Sequence, residues 1–581
     1  MREVLRGLKP YYEPLMINYM KNPPKYHFQW WHAVIVVVLA LGIFFRFANI
    51  DKKIYWIDEV HTTLRAAGYK KLEFVENAPA GRILTIEELQ QFQRLSPERG
   101  WGDTITALAG NAEHTPLYYL LTRLWMEWFG SAPAVTRSLA ALLSLLVFPS
   151  LYWLCWELFR SPPVAWISIA LVAVSPLHVL YAQEARQYSL LAAETLLSSA
   201  ALLRALRLQM ELMLLFYNVP IVRSWVMKTK SISSSKFYLK TWGVYALTVA
   251  LMLYTHLLGI LVVFSHGLYL AINYRFTRPF KNYIIAAWAG VVSLFPWIVL
   301  YFLNSSKIGG WIARDIPQWN LIKRWFIGLN AVFLDVQVGY PQQLFDVESG
   351  LDLPLNPRHL LLYTIPLIVM LVAYAIYFLC QETSKRVWVF VVTLIAGSGL
   401  ALMLPDLISG GQRSGIARYL IPSYLGIQIA VAYLFTARTI WNTTSHRQKT
   451  LWQIIFAAVL TSGIVSCAVS GQAETWWHKY SCYYDPEVAA IINQSPTPLV
   501  ISSRERVSRL MSLSYKLKPE TKLLLVEGTD FPSIPDNFRE VFLFRPSGEL
   551  YTSIEQNQSY QPIPLHPRGH IWRLEFRNRG S

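Results

Sequence analysis

The residues best suited to chemistry stand in five short stretches, far apart in the chain. The first is Tyr55-Trp56-Ile57-Asp58-Glu59-Val60-His61-Thr62-Thr63, where two adjacent carboxylates precede a predicted helix. A carboxylate placed there can take the proton of an attacking alcohol as a general base. It can equally cap a helix starting at Val60, with Asp58 on the first amides and Glu59 along the dipole. The second stretch is Asn111-Ala112-Glu113-His114-Thr115-Pro116-Leu117-Tyr118-Tyr119, an acid and an imidazole at the start of an amphipathic segment that runs to Gly130. The third runs from Ser175-Pro176 to Gln183-Glu184-Ala185-Arg186-Gln187-Tyr188. A Glu and an Arg between apolar runs are costly near lipid, so they face a cavity or pair with each other. His256, in Tyr254-Thr255-His256, is the fourth, with a satisfied interfacial imidazole as its bland alternative. The fifth is Gly410-Gly411-Gln412-Arg413-Ser414-Gly415-Ile416-Ala417-Arg418-Tyr419-Leu420. There the Arg418 guanidinium can grip a phosphate through paired hydrogen bonds, or simply snorkel from a helix end.

What must position these groups is a membrane scaffold. Of 581 residues, 54% are hydrophobic and 15% charged, and the mean hydropathy is +0.30. A soluble chain carries about 25% charged residues. The net charge of +17 fits basic residues gathered on the cytoplasmic side of a bilayer, not a nucleic-acid surface. The 22 Trp and 32 Tyr suit interfacial belts. Four cysteines, at 155, 380, 467 and 482, lack the spacing of a metal knuckle or a disulfide framework.

Eleven apolar runs are long enough, or nearly so, to span: Trp31–Phe47, Val135–Phe159, Val164–Leu180, Tyr188–Leu208, Trp242–Tyr254, Leu257–Tyr274, Tyr283–Phe302, Leu360–Leu379, Val387–Leu404, Tyr419–Phe435 and Leu451–Val469. The fifth and sixth nearly touch, which predicts a tight hairpin or a single broken span. Lys and Arg crowd alternate connecting segments, which puts residues 1–30 in the cytoplasm and the C-terminus outside. Outside then lie a first loop over 48–134, the turn at Gln183–Gln187, loops at Asn304–Pro357 and Pro405–Arg418, and a tail over 471–581. All five chemical stretches fall on that one face. The segment from Leu117 to Gly130 is expected to lie in the interface without crossing. The tail predicts a small α/β domain, with helices at Pro486–Gln494 and Arg504–Leu517 and strands at Leu499–Ser502, Lys522–Glu527, Glu540–Phe544 and His570–Phe576.

The set Asp58-Glu59, His114-Thr115-Pro116-Leu117-Tyr118-Tyr119, Glu184-Ala185-Arg186, Tyr254-Thr255-His256 and Arg418-Tyr419 resembles the GT-C membrane glycosyltransferases. Within them it is most similar to the group that contains protein O-mannosyltransferases and bacterial aminoarabinose transferases. The resemblance covers roughly Trp31–Phe435, with Thr115 standing where the common pattern has proline. It implies an all-α polytopic fold of about eleven spans over 31–470 with the small α/β domain appended, in a bacterial plasma membrane. It also implies a polyprenyl-phosphate sugar donor and transfer on the external face. Asp58, beside Glu59, then matches the first-loop catalytic acid, and Glu184 the second-loop acid. Arg418, with Tyr419 and Arg186, would hold the donor phosphate. A divalent metal, which some members bind, would correspond to Glu113 or His114 with His256. The acceptor stays open among protein, glycolipid and polysaccharide. A lipid-linked sugar flippase, or a polysaccharide polymerase or ligase, is the competing expectation.

Overall fold

In the computed structural model, residues 30–218, 234–304, 315–337, 344–348, 353–441, 445–530, 534–535, 538–556 and 560–576 are described. The expected cytoplasmic segment 1–30, apart from Trp30, and the basic residues Arg223, Lys228 and Lys230 lie outside them.

Every apolar run becomes helical. In chain order the helices are α1 (Trp30–Phe47), α2 (Ile57–Ala66), α3 (Leu117–Phe129), α4 (Pro133–Ser144), α5 (Val147–Phe159), α6 (Pro162–Ala173), α7 (Pro176–Ala182), α8 (Tyr188–Asn218), α9 (Ser234–Thr255) and α10 (Gly259–Tyr274). Then follow α11 (Arg278–Ser293), α12 (Phe295–Leu303), α13 (Gln318–Asn330), α14 (Leu360–Glu382), α15 (Lys385–Ser409), α16 (Ile421–Thr439) and α17 (His446–Gln472). Six helical stretches among the described residues are long and apolar enough to cross a bilayer, or eight if each bent pair counts as one span. The fifth and sixth expected spans are two helices, α9 and α10, joined by the three residues after Thr255.

Two expected spans are sharply bent, both at proline. Pro176 and Pro296 have no amide hydrogen to continue the preceding helix, and the chain turns by 63° between α6 and α7 and by 52° between α11 and α12. The first break is satisfied from outside: Ser175 Oγ donates to the Val332 carbonyl at 2.7 Å, and Leu177 N–H to that of Ala331 at 3.1 Å. It delivers the loop of Glu184 and Arg186 inward, level with α2.

Burial sorts the helices into core and lipid face. The span that includes α16 is enclosed throughout, and α8 nearly so, whereas α14 and α17 are mostly uncovered. Phe44, Leu247, Trp288, Phe302 and Ile454 stand exposed on their helices, as side chains facing hydrocarbon do. Arg418 therefore stands at the N-terminal end of the most enclosed helical stretch.

The tail forms the sheet that its pattern predicts, with two additions. Strands β1 (Ile83–Thr85), β2 (Pro498–Ser503), β3 (Lys522–Val526), β4 (Glu540–Phe544), β5 (Tyr560–Pro564) and β6 (Ile571–Phe576) lie in the order β1-β3-β2-β4-β6-β5. Central β2 is parallel to both neighbours and buried at every residue, which explains the consecutive Leu499, Val500 and Ile501 at its centre. Edge strand β5 carries Pro562 and Pro564, which a central strand would not tolerate. One addition is β5; the other is β1, which belongs to the first loop and pairs antiparallel with β3, Ile83 opposite Leu524. Phe74, Leu84 and Phe92 of that loop share a core with Val500, Leu510 and Leu523 of the tail. A helix after β2, α18 (Val507–Ser514), packs on α2 and places Ser508 Oγ 3.2 Å from His61 Nε2. First loop and tail are thus built as one unit.

Candidate active site

Helix α2 begins at Ile57, three residues before the start expected from the sequence, because Trp56 already occupies the extended N-cap position. Asp58 and Glu59 fall in its first turn, and no side chain caps it. Asp58 is therefore free to face elsewhere. Its Oδ2 lies 3.2 Å from Arg418 Nη2 and 3.8 Å from Arg186 Nη2. Both contacts fall on one oxygen, and Oδ1 has no hydrogen bond among the described residues. The Asp58 side chain is 25% exposed, whereas Arg186 and Arg418 keep only 5% and 4%.

The two guanidiniums are fixed from behind. Arg186 Nη1 donates to the Asp58 carbonyl at 3.2 Å, to Thr62 Oγ1 at 3.1 Å and to the Tyr119 hydroxyl at 3.4 Å. Arg418 stands 5.4 Å over the rings of both Trp56 and Tyr188 and 5.7 Å over that of Tyr419. These aromatic faces hold a cation without consuming its hydrogen bonds. Nε and Nη1 of Arg418, and Nε of Arg186, are buried with no hydrogen-bond partner among the described residues. Tyr419 thus contributes a wall of the arginine's box.

The other two acids go inward. Glu59 takes Arg137 Nε and Nη2, each at 2.7 Å, the Ala185 N–H at 2.9 Å and Lys479 Nζ at 3.3 Å. Glu184 takes Lys479 Nζ at 2.7 Å and a short contact from His478 Nε2. Side-chain exposure is 0% for Glu59 and 1% for Glu184. Burial alone would raise the Glu184 carboxyl, but Lys479 and His478 overcome it and hold the group below the ordinary carboxylate range. The simple Glu184–Arg186 ion pair does not form: the carboxylate turns inward, and the guanidinium turns to Asp58. Close by, Lys53 Nζ donates to Gln183 Oε1 at 3.1 Å, and burial, with Lys479 and Arg137 beside it, pulls its ammonium down to about 7.

Arg137, His478 and Lys479 did not stand out in the sequence. Arg137 sits inside an apolar run expected to span, and its charge there was the available signal. His478 and Lys479 follow Trp476-Trp477 after the last helix. Both indoles donate to Asp335 Oδ2, at 2.7 and 2.9 Å, which pins this segment against the loop after α13.

The candidate metal ligands are not arranged as a metal site. Among the described residues no group of three or more His, Cys, Asp or Glu side chains can hold a metal ion. Glu113 Oε1 accepts from Asn111 Nδ2 at 3.1 Å and lies 3.4 Å from His114 Nε2. His256 Nδ1 accepts the Leu258 N–H at 3.1 Å, and its ring rests against those of Tyr188 and Tyr419. Burial, with Arg186 and Arg418 near, pushes His256 down to about 3, so it is a neutral spacer in the box. The donors present do not fit a divalent ion. A cleft of about 700 Å³ beside the first loop, lined by Gln90, Arg94, Glu127 and Tyr515 among others, includes none of the site residues.

No family model matches the chain, and no curated protein does. Among solved structures it is similar to ArnT from Cupriavidus metallidurans bound to undecaprenyl phosphate, at 10% identity and a TM-score of 0.49, over 94% of this chain and 97% of that one. It is also similar to the oligosaccharyltransferase AglB from Archaeoglobus fulgidus in complex with an inhibitory peptide and a dolichol-phosphate, at 11% identity and a TM-score of 0.44, over 94% of this chain and 74% of that one.

Proposed function

We propose that this chain is a membrane glycosyltransferase that moves a sugar from a polyprenyl-phosphate donor to an acceptor hydroxyl at the outer face of the bilayer. The observation that carries this is one half-open carboxylate, Asp58, facing two buried guanidiniums whose remaining donors are unengaged. When the sugar leaves its phosphate, negative charge grows on the departing oxygens. Arg418 and Arg186 are placed to receive it, and their fixed positions spare any reorganisation at that moment. The arriving phosphate competes with Asp58 for both guanidiniums and so leaves the carboxylate freer to take the acceptor's proton. Oδ1 is the oxygen available for that proton.

Glu59 and Glu184 serve this reading as positioning groups: their oxygens are bound up with Arg137, Lys479 and His478. A double displacement with retention needs a second free carboxylate close to the sugar. With Asp58 as the sole open acid among the three, a single displacement follows, inverting the anomeric centre. Prenyl chains would lie against the apolar helices, with the head group reaching Arg418 at the outer end of α16. Residence in a bacterial plasma membrane, with the tail outside, belongs to the same proposal.

The test is transfer by purified full-length protein from a polyprenyl-phosphate sugar. Asp58→Asn is expected to lower the rate by about 10²-fold or more at unchanged melting temperature. Wild-type turnover in that variant would remove Asp58 from the chemistry. Movement of intact donor across a vesicle membrane, without cleavage, would make the chain a transporter.

A further inference from the structure

Charge is unevenly divided between the two halves of the site. The inner half is close to neutral: Glu59 and Glu184 are matched by Arg137 and Lys479, with Lys53 near its own midpoint. In the outer half, among the described residues, four cations (Arg65, Lys71, Arg186 and Arg418) face two carboxylates, Asp58 and Glu113.

Arg65 is the telling member. It lies on α2 two helical turns beyond Asp58, about 10 Å along the axis, and on the same face. Only 4% of it is exposed, and it forms no salt bridge among the described residues. Its guanidinium donates to Asn111 Oδ1 at 3.2 Å and to the His61 carbonyl at 3.4 Å, both neutral. It also stands 6.0 Å over the ring of Tyr119, whose hydroxyl accepts from Arg186. Tyr119 therefore links the two arginines in one row along the helix. Lys71, exposed at the start of the next short helix, Lys71–Asn77, closes the row from the solvent side, with no ion pair among the described residues. His61, between Asp58 and Arg65, is driven well below its usual range by burial and by Arg65, Lys71 and Arg186 around it. A buried arginine without an acid is not enough for a site: Arg46 is one, but it is 1% exposed and the carbonyls of Gly42, Val172 and Ala173 take its Nη1 and Nη2, with no opening beside it. The outer row is open at Asp58 and Lys71.

We propose that Arg65 and Lys71 form a second anion subsite beside Asp58, which takes a second phosphate group of the substrates. The proposal deepens the glycosyltransferase reading and rests on it for the word substrate. The group comes either from the donor, as the second phosphate of a pyrophosphate-linked sugar, or from a phosphate carried by the acceptor. Net positive charge in a desolvated row costs free energy until an anion fills it. With one donor phosphodiester at Arg418 and Arg186, the four cations still outnumber the negative charges, and Arg65 and Lys71 share Glu113 and the more distant Asp58 as their only carboxylates among the described residues.

Binding to the full chain in detergent tests the subsite without any turnover. Inorganic pyrophosphate should bind the wild type at least tenfold more tightly than inorganic phosphate. Arg65→Gln should weaken pyrophosphate about tenfold and phosphate less than threefold, and Arg65→Lys should restore most of the loss. Lys71→Gln, at an exposed position, should act in the same sense by about threefold, and decides the matter if Arg65→Gln does not fold. Equal affinity for the two anions, or equal loss of both in the variants, overturns the subsite. Steady-state transfer then separates the sources. A KM increase confined to a pyrophosphate-linked donor assigns the group to the donor, and one confined to a phosphorylated acceptor assigns it to the acceptor. If neither KM moves, the proposal falls. Absence of transfer by the wild type would sink the glycosyltransferase reading and leave the anion-binding result standing.

Discussion

Arg418 illustrates how much depends on the shape of a cation and not only on its charge. Three aromatic faces surround its planar group, and one edge meets Asp58. A lysine would keep the charge but lose the fork that can hold a carboxylate and a phosphate together. Arg418→Lys is therefore expected to raise the donor KM at least tenfold while leaving the acceptor KM within about threefold. Equal changes in both would show that the arginine only maintains the fold. At this scale the sequence was legible where polar residues interrupt apolar runs near a predicted outer face, which is how Asp58, Glu184, Arg186 and Arg418 came into view. Their division of labour was not legible. Asp58 and Glu59 are neighbours in sequence, yet one faces an opening and the other is enclosed. Successive helical residues point about 100° apart, and what waits in each direction is decided by Arg137 and Lys479, 78 and 420 positions away.

At the scale of elements, the segment Trp477–Cys482 acts as a wedge. Asp335 holds its leading edge through two indoles, and Lys479 reaches between Glu59 of α2 and Glu184 of the loop after α7. Removing that ammonium leaves two enclosed acids with too few partners, which typically costs about 3–5 kcal/mol. Lys479→Met should lower the melting temperature of the purified protein markedly, and adding Glu184→Gln should recover part of it. An unchanged melting temperature in Lys479→Met would mean that the wedge carries no strain from the acids. The helices themselves were legible as apolar runs, since composition alone determines what can lie in hydrocarbon. The bends at Pro176 and Pro296 were not separated from straight spans, although the prolines were visible, because proline kinks a helix only where neighbours satisfy the freed groups. Strand β1, three residues long, carries no periodic pattern that could have marked it.

At the scale of the molecule, the contact between α2 and the tail runs partly through His61 and Ser508. His61 is held neutral, its folded-state value well below the usual 6.5. Below pH of about 6.5 the unfolded chain binds a proton that the folded chain refuses, so stability is full above that range and declines as pH falls. A melting curve at pH 5 should lie below that at pH 7.5, and His61→Asn should narrow the gap. A gap of the same size in that variant would assign the acid sensitivity to other groups. Membrane character was plain from composition, as was the existence of an α/β tail. That the tail completes its sheet with a strand from the first loop could not be read, because that pairing joins residues about 440 positions apart.

That pairing has a consequence for how the protein is made. Ribosomes finish β3, the strand opposite Ile83, only about 440 residues after it, so the loop bearing Asp58 must wait, unfinished, while the helices between them are made. Contacts so distant in sequence close slowly. Activity should therefore stay absent until β3 is made, and a chain stalled before it would be an inert precursor.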